Sequence, residues 1–375
     1  MRVRASPLVF KVMVKYIKDN QINISKQEWL DLNSCKSKDE IKKILSDLIE
    51  DNNLPLPYAE ISLEDAIDDF NKLKDTDCSN LIQEKEFFTR YEYSRQLTPI
   101  IINQSNIGNK SSNYFHQQSR WLCDSINAPS PYRTWTTEKF RLTLFNALWT
   151  LKFEEINNSK LRSAIGLRKY IASQFRPSAA KAIYQWTNAK SVLDFSSGWG
   201  DRLSGFMACD HTERYVGIDP NARLFDGYQK QITAFGRHKE IQIINDCAEN
   251  LDLTPEQFDL VFTSPPYFDV ERYTQEKNQS WKKYKKLDDW LNVFLFDVLE
   301  KAFVSLKKDG KMLINISDVY AHHTINKICD PMCDFLESLG MRYEGCIGLR
   351  LSKRPRSKSA KDGIYGEPVW IFSKG

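Results

Sequence analysis

The sequence predicts an α/β protein: a doubly wound, mostly parallel, seven-stranded sheet that follows a mainly helical N-terminal region. Three observations carry that prediction. From residue 191 onward, short runs of β-branched and aromatic residues alternate with amphipathic stretches at helical spacing, the pattern of repeated βαβ units. The first of these runs is followed by Gly198-Trp199-Gly200, where the backbone can turn sharply. The last two runs have no helical stretch between them, so they are expected to form an antiparallel hairpin around a long loop. The seven expected strands cover 191–195, 214–218, 241–244, 258–263, 311–316, 343–349 and 369–372.

Upstream, residues 1–110 read as polar and helical. Leu8, Val12 and Ile17, then Ile41, Ile44, Leu45 and Leu48, recur at roughly helical spacing. Ser25, three residues ahead of Glu28, predicts a capping box. The turn-rich stretch 96–113 reads as a loop or linker. Residues 111–169 are aromatic and helical, with a break around Pro129-Ser130-Pro131. Trp121, Tyr132, Arg133 and Trp135 are candidates there for substrate contact, or else rings packing a core. The chain thus divides into 1–110, 111–169 and an α/β domain at 170–375.

Hydrophobic residues at 41% and charged residues at 27% are the balance of a soluble globular chain, which sets aside disordered and membrane classes. No apolar run approaches the roughly 20 residues that span a bilayer. Lys11, Lys15 and Lys18 interrupt the N-terminal apolar residues, against a secretory signal. A formal net charge of +4 permits a nucleic-acid partner without requiring one. Eight scattered cysteines suggest free thiols in a reducing cytoplasm. Cys329 and Cys333, near His322 and His323, lack a second ligand pair at metal-binding spacing, so buried thiols and no metal are expected.

Ligands of open α/β sheets bind beyond the carboxyl ends of the strands, where the strand order reverses. The first strand runs out into Asp194-Phe195-Ser196-Ser197-Gly198-Trp199-Gly200. Its glycines let the backbone approach a ligand with no Cβ between, although the third glycine of a dinucleotide fingerprint is missing. The second strand ends in Asp219, placed to accept hydrogen bonds from both hydroxyls of a ribose. The third ends in Asn245-Asp246, within reach of an adenine amine. Each acid alone is an ordinary cap or turn residue. At the ends of consecutive strands they suit a nucleoside, and adenosine better than a phosphate.

With these residues the sequence resembles the class I AdoMet-dependent methyltransferases over about 170–375, and among them the exocyclic-amine DNA methyltransferases. The likeness consists of D-x-x-x-G-x-G at 194–200, acids after the second and third strands, and Thr263-Ser264-Pro265-Pro266-Tyr267 after the fourth. Phe195 stands where the family usually has proline. Phe175-Arg176-Pro177-Ser178 resembles the family motif that closes over the methionine. The resemblance implies a Rossmann-like methyltransferase sheet with S-adenosyl-L-methionine as cofactor. The residues it implies for the cofactor are Phe175, Pro177, Asp194, Ser196, Gly198, Gly200, Asp219, Asp246 and Thr263. It further implies methyl transfer to an exocyclic amine of a DNA base, with cytosine N4 favoured over adenine N6 because the motif begins with Ser264. An RNA base, a small-molecule amine, or a nucleic-acid-binding role without catalysis are the alternatives. Covalent C5-cytosine chemistry needs a Pro-Cys nucleophile, and the chain contains no such dipeptide.

The two prolines make chemical sense in that setting. Pro265 and Pro266 have a locked φ and no donor. A base amine is a poor nucleophile because its lone pair is delocalised into the ring. Drawing its N–H groups toward acceptors lets the lone pair localise. Ser264 can supply a hydroxyl and Pro265 a carbonyl, both held in direction by the stiff di-proline. Tyr267, or failing that Phe268, is expected to stack on a base removed from its helix. Ser264, Pro265, Pro266 and Tyr267 are therefore the catalytic candidates.

Two basic clusters suit a DNA phosphate path. Downstream of the prolines, Arg272, Lys282 and Lys283 interleave with Tyr273, Trp281 and Tyr284. Arg350, Lys353, Arg354, Arg356, Lys358 and Lys361 lie in the loop between the last two strands. Tyr267, Arg272, Tyr273, Lys282, Lys283, Arg354 and Arg356 are the candidate substrate contacts.

Overall fold

The computed structural model describes residues 14–168, 171–351 and 363–375. They fall into two compact units, one drawn from Met1–Glu60 and Arg120–Ala172, the other from Ile61–Ser119 and Ser173–Gly375. The expected cut at 170 lies close to the division between Ala172 and Ser173, and the one at 110 falls within the second unit.

The first unit is helical. Helices Lys26–Cys35 and Lys38–Asp51 both open with capping boxes, in which the Ser25 and Ser37 N–H groups donate to Glu28 at 2.9 Å and Glu40 at 2.8 Å. Their apolar stripes place Trp29, Ile41, Leu45 and Leu48 in one core with Leu144, Leu148 and Leu161. Trp121 and Trp135 are buried in the same core, and the Trp135 indole N–H donates to the Leu54 carbonyl at 2.9 Å. Both rings pack the interior, the second of the two readings that the sequence left open. Arg133 is held by Asp124 at 2.8 Å, and Tyr132 remains exposed.

The second unit is built on a nine-stranded sheet. In chain order its strands are β1 (Ile82–Glu84), β2 (Ile100–Ile102), β3 (Ser191–Asp194), β4 (Arg214–Ile218), β5 (Glu240–Ile244), β6 (Phe258–Thr263), β7 (Leu306–Asn315), β8 (Met341–Arg350) and β9 (Gly366–Lys374). Their order across the sheet is β1-β2-β8-β9-β7-β6-β3-β4-β5. The seven expected strands are all present, parallel from β7 through β5, with β9 antiparallel to both of its neighbours. Central strands such as β3 and β6 are almost wholly buried, as continuous apolar runs covered on both faces must be.

Differences from the sequence reading have local causes. β9 starts at Gly366, three residues before its expected beginning, although Pro368 lies inside it opposite Gly348. Proline donates nothing to a ladder, so sequence reasoning stops a strand there. β1 and β2 have three residues each, too short for a periodic signal, and β2 exists because Ile101 and Ile102 pair with Gly348 and Leu349 of β8. Segment 61–119 also packs in this unit through helix Leu63–Asp75. The buried Lys181 ammonium donates to the Leu73, Lys74 and Thr76 carbonyls at 2.8, 2.6 and 2.9 Å, capping that helix end.

The chain leaves β3 toward β4 and β5, then returns to place β6 on the other side of β3. That reversal opens a crevice beyond the carboxyl ends of β3 and β6. Among the described residues, no helix is long and apolar enough to cross a membrane.

Candidate active site at the carboxyl ends of the strands

Beyond β3, residues 195–200 turn the chain into helix Asp201–Met207. Gly198 and Gly200 have left-handed backbones, with φ of 61° and 70°, a conformation that costs other residues roughly 1–2 kcal/mol. The two glycines serve different ends. A Cβ on Gly200 would collide with Gln231 Oε1 and lie 2.8 Å from His116 Nε2, so this glycine permits packing beneath the loop. A Cβ on Gly198 would meet nothing nearer than 3.8 Å. Its backbone is open to a ligand.

The loop is tied from below. Asp194 is fully buried, and its carboxylate accepts from Arg202 Nε at 2.8 Å and Nη2 at 3.2 Å, from the Tyr215 hydroxyl at 2.7 Å, and from the Ser196 N–H at 3.3 Å. Arg202 also donates to the Ser196 carbonyl, and the Tyr228 hydroxyl to the Gly198 carbonyl. Asp194 is thus a brace under the loop with no face left for a ligand, which corrects its expected place among the cofactor contacts. Gly200 owes its place to the packing beneath the loop. Sequence reasoning missed the supports themselves. Gln231 Nε2 donates to the Gly200 carbonyl at 3.0 Å and to Ser204 Oγ at 2.7 Å, so its Oε1 faces His116 Nε2 at 3.1 Å. Burial lowers the His116 pKa to about 4, and the neutral ring donates from Nε2.

Asp219, half-buried after β4, accepts the Gly198 N–H through Oδ2 and the Asn221 N–H through Oδ1, each at 2.9 Å. Burial raises its pKa to about 6 against the pull of these two bonds. Each carboxylate oxygen accepts more than one hydrogen bond, so both keep capacity for ligand hydroxyls. Asp246 accepts from the Cys247 N–H at 2.6 Å and from Asn250 Nδ2 at 2.8 Å, all through Oδ1. Ser196 is half-buried at the loop. Phe175 packs edge-on against Phe262, 5.5 Å between centroids, with the Arg202 guanidinium 5.6 Å from its ring. Pro177 is buried as the first residue of helix Pro177–Thr187. Thr263, ending β6, is completely buried, and its Oγ1 has no hydrogen-bond partner among the described residues. Open backbone at Gly198, spare acceptors on Asp219 and the unsatisfied Thr263 hydroxyl fit a nucleoside-bearing cofactor.

The elbow follows β6 directly. Ser264 Oγ donates to Asn315 Oδ1 at 3.3 Å, and Asn315 Nδ2 donates to the Pro368 carbonyl at 3.0 Å. The second bond fixes which way the amide points, so its oxygen faces Ser264. Asn315 is buried at the end of β7, the next parallel strand, and sequence reasoning missed it. The signal in the sequence is its position, at the end of the fifth expected strand. Among the described residues no donor bonds the Pro265 carbonyl, whereas that of Pro266 accepts the Phe268 N–H at 3.1 Å. The Tyr267 hydroxyl donates to Glu367 at 3.0 Å, with the Asn315 carbonyl 3.2 Å away as its other acceptor. Burial and the Glu367 charge push its pKa far above the usual phenol value. Phe268 is buried with φ of 51° and packs on Trp290, so it is removed from the stacking candidates.

Among the basic candidates, Arg272 is held in a two-point ion pair by Asp269, at 2.8 and 2.9 Å, with its guanidinium 4.9 Å from the Trp281 ring. Lys282 and Lys285 also approach that ring, at 5.3 and 4.9 Å. Lys283 is committed to Glu249 at 2.6 Å. Tyr273 packs against Trp199 of the glycine loop, 5.7 Å between centroids, so it borders the cofactor side. Arg354 and Arg356, with Lys353, Lys358 and Lys361, lie outside the described residues.

The segment beginning at β6 is the part of the chain that resembles a known family. Residues 258–375 match the DNA methylase family. The matched segment starts with the strand that presents the elbow and runs to the end of β9. The chain is also 40% identical over 107 residues to a type II methyltransferase, M.MjaVI, of Methanocaldococcus jannaschii, an alignment covering 28% of this chain. The chain spans about half the length of that curated relative, 52%. Among solved structures, TrmN from Thermus thermophilus aligns with a TM-score of 0.35 and 13% identity over 58% of this chain and 53% of that one. An S-adenosylmethionine-dependent methyltransferase from Clostridium acetobutylicum aligns at 0.34 and 10%, over 52% and 88%.

Proposed function

We propose that this chain transfers a methyl group to an exocyclic amine of a base in DNA, with cytosine N4 the favoured position. The observation that carries the reading is the pair of acceptors at the elbow. Ser264 Oγ gives its hydrogen to Asn315 Oδ1, so its lone pairs are left for an incoming N–H. The Pro265 carbonyl supplies the second acceptor from a residue whose ring holds φ. Together they draw the amine hydrogens aside and let the nitrogen lone pair localise, with no reorganisation at the moment of reaction. S-Adenosyl-L-methionine, the methyl donor, supplies an activated methyl group on a sulfonium. Asp219 would hold its ribose hydroxyls, the Gly198 backbone would let it lie close, and Thr263 Oγ1 would meet one of its polar atoms. On taking the methyl, the nitrogen would release one of the hydrogens held at Ser264 or Pro265 as a proton to water, while the donor would leave as its neutral thioether. Tyr267, its hydroxyl tied to Glu367, holds a ring ready to stack on the base.

Cytosine N4 is favoured because a serine hydroxyl, rather than an acid or amide, occupies the first elbow position. The test is incubation of the full chain with methyl-labelled S-adenosyl-L-methionine and unmodified genomic DNA, followed by digestion to nucleosides and mass spectrometry. Labelled N4-methylcytosine is expected. Labelled N6-methyladenine would keep the chemistry and overturn the base, whereas label only in RNA would overturn the DNA reading.

A further inference from the structure

The chain that leaves the elbow, residues 269–284, runs along the carboxyl ends of β3, β4 and β5, and four contacts mark its route. Glu271 Oε1 accepts the Ser173 N–H at 3.0 Å and the Ser173 hydroxyl at 3.1 Å. Tyr273 packs against Trp199. Asn278 Nδ2 donates to the Pro220 carbonyl at 3.0 Å, while the Asn278 carbonyl accepts the Cys247 thiol at 3.3 Å. Lys283 and the Tyr284 hydroxyl reach Glu249 at 2.6 and 3.0 Å. Ser173, Trp199, Pro220 and Cys247 stand within two residues of Phe175, Gly198, Asp219 and Asp246. One segment thus touches the neighbours of four residues expected to hold the cofactor.

The root of this segment is firm. The Val270 N–H donates to the Tyr267 carbonyl at 3.1 Å, and Asp269 grips Arg272 at two points. Its span is held more lightly. Residues 275–278 are exposed, and the bonds at Glu271 and Asn278 are made by side chains that water can reach. Such bonds exchange for water at small net cost. Glu271 is the centre of the first attachment. Its Oε2 accepts the Tyr273 hydroxyl at 2.6 Å, and the Trp199 indole N–H donates to the Ser173 carbonyl at 3.0 Å. Glu271, Ser173, Trp199 and Tyr273 therefore close a ring of contacts in which one carboxylate joins the segment to the glycine loop.

Resting on the reading that S-adenosyl-L-methionine occupies this crevice, we propose that residues 271–279 are a gate over the cofactor, latched by Glu271 on Ser173 and by Asn278 on Pro220. A cofactor seated against Phe175, Gly198 and Asp219 lies under the latches, so it enters and leaves only when the gate lifts. Glu271 is a positioning residue. It touches no reacting atom and sets the fraction of time the gate stays shut. A latch slows entry and exit together, whereas a side chain that merely contacts the cofactor slows exit alone.

The test is stopped-flow tryptophan fluorescence on the full chain with S-adenosyl-L-homocysteine as the probe, comparing wild type with Glu271→Ala, Glu271→Gln and Asn278→Ala. Glu271→Ala should raise the association and dissociation rate constants together by about tenfold and leave Kd within about threefold of wild type. Asn278→Ala should move both rates the same way by a smaller factor. Glu271→Gln, which keeps an oxygen for the Ser173 N–H, should fall between wild type and Glu271→Ala. Hydrogen exchange should show the amides of 271–279 slowed by the probe in wild type and faster in Glu271→Ala. Unchanged rates in both alanine variants overturn the gate. Faster dissociation with unchanged association overturns it too, since these side chains then only hold the cofactor. Failure of wild type to bind the probe brings down the cofactor reading, and the gate with it, whereas probe binding with ungated rates removes the gate alone.

Discussion

The glycine loop after β3 and the elbow after β6 lie at the ends of adjacent parallel strands, and they are made rigid by opposite means. The loop has permissive residues, so its shape is imposed from beneath by buried polar groups: Asp194 with Arg202 and Tyr215, and Gln231 with His116. The elbow carries its stiffness in its own covalent structure, two prolines, and needs only Asn315 and Glu367 to orient its side chains. A flexible segment depends on its foundations, whereas a stiff one depends on its immediate neighbours. Damage to the loop should therefore appear first as lost stability, and damage to the elbow first as lost catalysis.

The strongest way to break this comparison is Asp194→Ala. It leaves the Arg202 guanidinium buried and uncompensated, which typically costs about 3–5 kcal/mol. Urea denaturation should show that loss, and a change under about 1 kcal/mol would mean the loop does not stand on this pair. Next come the two glycines. Gly200→Ala drives a methyl group into Gln231 and His116 and should destabilise by about 1–3 kcal/mol. Gly198→Ala, with open space around it, should cost little more than its backbone strain while weakening cofactor binding in calorimetry. Equal effects on stability would erase the distinction between them.

On the elbow side, Asn315→Ala frees the Ser264 hydroxyl hydrogen and leaves the Pro368 carbonyl unpaired. Labelling of DNA should fall about 10–100-fold, with cofactor affinity within about twofold of wild type. A loss of cofactor affinity instead would make Asn315 part of the loop system.

The smallest expected effect concerns pH. The folded-state pKa of Asp219, raised to about 6, exceeds the unfolded value near 3.8. Its contribution to stability is thus fully present below about 3.8 and is lost as pH rises through 6. On the proposed function, cofactor affinity should run the other way, because the ionised carboxylate would accept the ribose hydroxyls. At pH 5 only about a tenth remains ionised, so affinity should fall up to about tenfold from its value at pH 8, and Asp219→Asn should flatten that profile.

Much of this protein was legible in the order of its residues. All seven long strands, the antiparallel end of the sheet, the two glycines, Asp219 and the elbow could be placed from periodicity and turn chemistry, since those signals are local. Pairing was not legible. β1 and β2 are strands only because β8 offers ladder partners, and 61–119 joins the sheet unit through contacts such as the Lys181 cap, which no linear pattern announces. The site shows the same division. Sequence alone determined which backbone could turn, which side chains could accept a hydrogen bond and where the stiff elbow falls. Tertiary structure alone decided that Asp194 and Gly200 face inward, that Phe268 and Pro177 are buried, and that Asn315 aims the Ser264 hydroxyl. Residue type fixes what a group can do, but a hydrogen bond or an ion pair needs a partner within about 3 Å. Which residues come that close depends on how distant strands and helices pack.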